Sequence, residues 1–257
     1  MAKVLKIVCC YPYSEDRNPY HNSPTNYGDW EKCIRRLIKN EELVDYGVDM
    51  DLILYRMYKP GEHKDLGKEF IQSFKGKKLG IGSYGTRPRG TIKVVEHENV
   101  GRTGFNIIKH AVENFHKKYD YLTFEEDDVS ICRSAKNYLK QAIEQIEWSN
   151  KKNIVVFAPI RPNDGNVPMH FGGFHGVMPM DKLHSILGTF PDFANIEGKS
   201  ELEICDWYIK GHGLERENIM NLFGFSNFPD NHSDFEIYAK DLEQYKTIGK
   251  YLYHIGK

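Results

Sequence analysis

Apolar residues along this chain recur at two alternating periods, one of strands and one of helices. Residues 4–10 are apolar and β-branched, broken only by Lys6, and predict a buried first strand. Residues 11–27 are rich in Pro, Asn and Tyr and predict a polar loop. From Asp29 to Asn40, Trp30, Cys33, Ile34 and Leu37 fall at helical spacing. Residues 49–57 alternate as a second strand, and 91–95 make a third. A helix is expected from Gly101, with Phe105, Ile107, Ile108, Ala111, Val112 and Phe115 on its period. Residues 119–124 form the next strand and run directly into Glu125, Glu126, Asp127 and Asp128. Ser134 reads as the N-cap of a helix reaching Trp148. Strands are expected at 153–158 and 172–178, and helices at 181–187 and 200–210. After Gly213 the chain turns loop-rich, with a closing helix around 238–248.

Strands alternating with helices at this spacing predict an α/β fold, a mostly parallel central sheet covered by helices on both faces. The 257 residues suffice for one large core, so a single domain over 1–257 is expected. Within it two halves are expected, 1–132 and a smaller 133–257. In such sheets ligands sit beyond the carboxyl ends of the strands. That rule brings together the loop after Cys10 and the acidic run after Phe124.

Composition narrows the classes. The formal net charge of -1 excludes a uniformly basic polyanion binder. No run of about 18 apolar residues occurs, so no membrane span is expected. The five cysteines form no CxxC or CxxH spacing, which argues against zinc and for reduced thiols in a cytoplasm. Charge is nevertheless uneven. Between Lys59 and Lys93, nine Lys/Arg face three Asp/Glu, a local +6, among seven glycines. The expectation is a mobile basic loop, either a solvated insertion or a clamp for phosphates or a polyanionic acceptor.

The acidic run is the strongest chemical signal. Four carboxylates directly after an apolar strand repel one another, and a divalent cation relieves that repulsion. Hard carboxylate oxygens suit Mg²⁺ or Mn²⁺, and such an ion attracts a pyrophosphate. Acidic runs are also common on solvated surfaces. Context separates the two readings. Asn99-Val100-Gly101, then a helix, then Tyr119-Asp120-Tyr121-Leu122-Thr123-Phe124 ahead of the acids resembles the donor-site segment of GT-A glycosyltransferases. Phe171-Gly172-Gly173, Glu201-Leu202-Glu203-Ile204-Cys205-Asp206 and His232-Ser233-Asp234 follow in an order similar to inverting, galactosyltransferase-like members.

The resemblance implies a nucleoside-diphosphate-sugar donor and a Mn²⁺ or Mg²⁺ ion, with 1–132 as the nucleotide-sugar-binding half and 133–257 as the acceptor-side half. It implies Asp128, Glu126 and His232 as metal ligands. Arg17, Asn99, Arg102, Glu126, Asp127, Gly172 and Gly173 are implied on the donor side. The catalytic base is sought among Glu201, Glu203 and Asp206, because Leu202 stands where the family usually carries its Asp. A configuration-retaining enzyme needs no such base. Glu126 likewise replaces the usual first Asp of the acid-x-acid pair.

Other readings stay open. Gly80-Ile81-Gly82-Ser83-Tyr84-Gly85 matches G-x-G-x-x-G but continues into Thr86-Arg87-Pro88, where no helix starts, so a dinucleotide site is rejected. Nucleotidyl transfer uses a similar sheet but expects a glycine-rich loop after the first strand, and residues 11–27 contain no glycine. A nucleic-acid-binding module accounts for the basic stretch but not for the acids. The acceptor is a saccharide, a protein, a small molecule, or a hydroxylated base in DNA held through the stretch between Lys59 and Lys93.

Overall fold

A computed structural model describes residues 2–12, 27–58, 61, 64–81, 88–98, 105–127, 129–131, 138–150, 154–156, 176–193, 200–214, 219–221, 247–248 and 252–254. In chain order the elements are β1 (Lys3–Cys10), α1 (Tyr27–Leu43), β2 (Asp49–Tyr58), α2 (Lys68–Gln72), β3 (Lys78–Ile81) and β4 (Pro88–Glu98). Then come α3 (Asn106–Phe115), β5 (Tyr121–Glu126), β6 (Val129–Ile131), α4 (Tyr138–Trp148), β7 (Ile154–Val156) and β8 (Gly176–Pro179). The last are α5 (Met180–Ser185), a 3-10 turn at Leu187–Thr189, α6 (Ser200–Gly211), β9 (Ile219–Asn221), β10 (Thr247–Ile248) and β11 (Leu252–His254).

The main sheet has the order β3-β4-β2-β1-β5-β8-β7-β9. β1 lies inside it, paired in parallel with β2 and β5, and β2 pairs in parallel with β4. β8 runs antiparallel to both β5 and β7, and β9 runs parallel to β7. The sheet is therefore mostly parallel, with β3 and β8 reversed.

Helices cover both faces because the strands alternate. Even positions of β1 and β2 (Val4, Val8, Met50, Leu52, Leu54) pack with Trp30, Ile34 and Leu37 of α1 and with Leu139 and Ile146 of α4. Odd positions (Leu5, Ile7, Ile53, Tyr55, Met57) pack with Ile107, Ile108 and Val112 of α3 and with Ile204 and Tyr208 of α6. This two-faced burial explains why the strands read as near-continuous apolar runs.

Several expectations need correcting. The basic stretch is no simple loop: it contains α2, β3 and the start of β4, because Ile71, Phe74, Leu79 and Ile92 are buried and hold it to the sheet. The strand expected at 91–95 extends over all of β4, and Gly90 permits it to lie against β2. A Cβ at Gly90 would sit 1.5 Å from the Met50 carbonyl oxygen. The strand expected to stop at Phe124 continues through Glu126, whose backbone is in register with Cys9. The closing helix is wrong at its end, where Thr247–Ile248 is a strand paired with β11. β11 in turn pairs with β6, forming a second, three-stranded sheet that periodicity did not reveal. Residues 238–246 lie outside the described residues. No helix among the described residues is long and apolar enough to cross a membrane.

Candidate functional site at the carboxyl edge of the sheet

Among the described residues six strands end at one edge, and several of the expected site residues follow those ends in sequence. Arg17 follows β1, Asn99 and Arg102 follow β4, and the acidic run closes β5. β8 enters the sheet at this same edge because it is reversed, and Gly172 and Gly173 precede it in sequence. The ends of β4 and β5 are three strand spacings apart, on the order of 14 Å. Arg17, Asn99, Arg102, Asp128, Gly172, Gly173 and His232 lie outside the described residues, as do the side chains of Glu126 and Glu201.

The described acids divide by strand parity. Glu125 and Asp127 belong to the α1 face and are buried, at 1% and 3% exposure. Glu125 forms a 2.8 Å ion pair with Lys6, the residue that interrupts the first apolar strand. Lys6 also donates to Glu41 of α1, and Tyr46 Oη donates to the other oxygen of Glu41. Both members of the Lys6–Glu41 pair are fully buried. Burial alone pushes the Lys6 ammonium down, but Glu125 and Glu41 more than offset it, so its pKa is raised and it stays charged.

Asp127 makes a different set of contacts. Its Oδ2 accepts from the Tyr11 backbone N–H at 2.8 Å and from the Trp30 indole Nε1–H at 2.7 Å. One carboxylate thus joins the ends of β1 and β5 to α1. The described contacts of Asp127 Oδ2 point inward, to the end of β1 and to α1.

Arg56 completes the edge from β2. Its side chain is fully buried, and its guanidinium donates to the carbonyls of Leu66, at 2.9 Å, and of Lys64. It fixes the backbone entering α2. Sequence reasoning missed Lys6, Trp30, Arg56 and Glu41 as partners of this edge. The available signal was a charge at an inward strand position, since a buried cation demands a buried counter-charge.

On α6, Glu203 is exposed and Asp206 half-buried, while Ile204, Trp207 and Tyr208 face the core. Trp207 donates its indole N–H to Thr189 Oγ1 at 3.0 Å, so it is a packed residue. Tyr55 Oη lies 2.9 Å from His110 Nδ1, and the His97 and His110 rings are 5.4 Å apart. Burial lowers both imidazole pKa values, and their proximity lowers that of His97 further. Among the described residues no group of three His, Cys, Asp or Glu is placed to hold a metal ion.

No protein-family profile and no curated protein matches this chain. Solved structures resemble it at low identity. S. aureus TarS 1-349 aligns over 81% of this chain and 55% of its own, at 13% identity and TM-score 0.47. The same protein in complex with UDP-GlcNAc aligns over 70% of this chain and 46% of its own, at 13% identity and TM-score 0.40. The 4-diphosphocytidyl-2C-methyl-D-erythritol synthase of Anaerococcus prevotii aligns over 94% of this chain and 99% of its own, at 8% identity and TM-score 0.46. The chain spans about half the length of the TarS 1-349 structures it resembles.

Proposed function

We propose that the chain is a GT-A-type glycosyltransferase that moves a sugar from a nucleoside diphosphate to an acceptor hydroxyl. The observation that supports this most is the end of β5. An acidic run closes an inner strand at the carboxyl edge of a mostly parallel sheet, the edge where such sheets bind ligands. Its members Glu125 and Asp127 are held inward by Lys6, Tyr11 and Trp30. In this reading Glu126 and Asp128, with His232, hold Mn²⁺ or Mg²⁺, a set of hard oxygens and one imidazole that suits either ion. The ion, when bound, stabilises the charge on the departing nucleoside diphosphate.

The chain's own residues supply the rest. Arg17, Asn99 and Arg102 bind the donor, and Gly172 and Gly173 let backbone approach its sugar. In an inverting reaction Glu201, Glu203 or Asp206 takes the acceptor proton as that oxygen bonds the anomeric carbon and the diphosphate leaves. The test is a screen of nucleotide-sugar turnover with Mn²⁺. Asp128→Asn is expected to abolish it, and full activity in EDTA ends the metal-dependent reading. Glu201→Gln, Glu203→Gln or Asp206→Asn is expected to lower turnover ~10²–10⁴-fold with donor affinity kept. Release of inorganic pyrophosphate from a nucleoside triphosphate would instead identify a nucleotidyltransferase.

One observation favours a polyanionic acceptor such as DNA. Lys75, Lys77 and Lys78 are all exposed at or beside the edge strand β3. Their joint replacement by Ala is expected to weaken DNA binding and flatten its salt dependence, which is roughly -0.9 in log–log slope per phosphate neutralised. No DNA binding by the unaltered protein at low salt leaves a saccharide, protein or small molecule as the acceptor.

A further inference from the structure

We infer that Asp127 is a positioning residue, a latch that clamps both ends of the segment between β1 and α1 and so sets the donor side of the site. The inference rests on the glycosyltransferase reading above. Tyr11 begins the connection between those elements, and Trp30 lies in the first turn of the helix that ends it. Both donate to the same oxygen, Asp127 Oδ2, at 2.8 and 2.7 Å. The connection between them carries Arg17.

Asp127 is also the residue between Glu126 and Asp128. Its contacts therefore anchor the chain within the acidic run itself. Hydrogen bonds to an ionised acceptor are roughly twice as strong as neutral ones, and this acceptor is 3% exposed, where water competes little. The latch accordingly couples two things the proposed reaction needs together: the segment that follows β1 and the acids that close β5.

Trp30 offers a clean probe. Its ring is fully buried and packs edge-on against Phe70 at 5.6 Å. Trp30→Phe keeps an aromatic ring there and removes the indole N–H. Asp127→Asn keeps the shape and removes the charge. Lys3→Met, at the far end of β1 from Tyr11, where the half-exposed Lys3 side chain lies 3.9 Å from Asp51, serves as control.

The experiment is calorimetric titration of these variants with UDP, GDP, dTDP, ADP and CDP in Mn²⁺, alongside urea unfolding of each. The diphosphate that the unaltered protein binds is expected to bind about tenfold more weakly to Trp30→Phe and to Asp127→Asn. The double variant is expected to be little weaker than Asp127→Asn alone, because the two groups form one contact. Lys3→Met is expected to bind normally. Unchanged affinity in folded Trp30→Phe and Asp127→Asn, with stability alone reduced, overturns the latch and leaves the glycosyltransferase reading standing. Should Asp127→Asn fail to fold, Trp30→Phe decides the matter by itself. No diphosphate binding by the unaltered protein overturns both.

Discussion

Two regions of the molecule carry the same trio of side chains, a lysine, a tyrosine and a carboxylate, in opposite surroundings. In one, Lys6, Tyr46 and Glu41 meet between β1 and α1, with the Lys6–Glu41 pair fully buried and Glu125 as a second acid. In the other, Lys93 donates to Tyr119 Oη at 2.7 Å, and Tyr119 donates to Asp51 at 2.7 Å. There the Lys93 side chain is 42% exposed. The chemistry is nearly identical, so burial is what separates them. Water screens the Asp51 network and replaces any partner it loses. Nothing replaces a partner of Lys6, and removing one leaves charge stranded in the core. The network beneath the candidate site is therefore the one the fold depends on.

Breaking the buried trio tests this most severely. Lys6→Met is expected to cost about 3–5 kcal/mol in urea unfolding, because Glu41 and Glu125 are left facing each other without a cation. A loss under ~1 kcal/mol would show that the two networks are equivalent. Tyr46→Phe is a finer cut. It removes the donor to one oxygen of Glu41 and is expected to cost about 1–3 kcal/mol, the penalty of an unsatisfied buried acceptor.

The exposed trio is expected to respond to pH. Burial alone would raise the Asp51 carboxyl, but hydrogen bonds from Tyr119 and Thr91 and the Lys93 charge bring it below its ordinary value. A lowered folded-state pKa means the unfolded chain binds the proton more readily. The contribution of Asp51 is thus complete above its unfolded pKa of about 3.9 and is lost as pH falls through the lower folded value. Urea midpoints measured between neutral and strongly acid pH are expected to fall less steeply for Asp51→Asn than for the unaltered protein. Lys93→Met should show the smallest effect, about 0–1 kcal/mol. A loss as large as that of Lys6→Met would erase the contrast.

Much of the architecture was legible because it is local. Periodicity gave β1, α1, β2, α3 and the acid-closed β5, since each buries a face whose spacing is written in consecutive residues. The region between Lys59 and Lys93 differs from its expected loop because charge and glycine content mask three apolar anchors, Ile71, Phe74 and Leu79. β6, β10 and β11 were missed for another reason. Strands of two or three residues have too little pattern to detect, and their pairing joins positions far apart in the chain.

The acidic run shows where sequence stops and tertiary structure begins. The order of residues by itself determined that four carboxylates follow an apolar strand, and that the strand belongs to an α/β sheet. It also set the alternation that separates Glu125 and Asp127 from their neighbours. Which set faces α1 was decided only by the register of β5 against β1, which places Glu125 opposite Val8. The partners were decided the same way. Glu41 lies 35 residues from Lys6, and Trp30 lies 97 residues from Asp127. Contacts over such separations depend on sheet order and helix docking, neither of which any local pattern encodes. Local periodicity specifies the faces of each element, and only their packing specifies which buried charges meet.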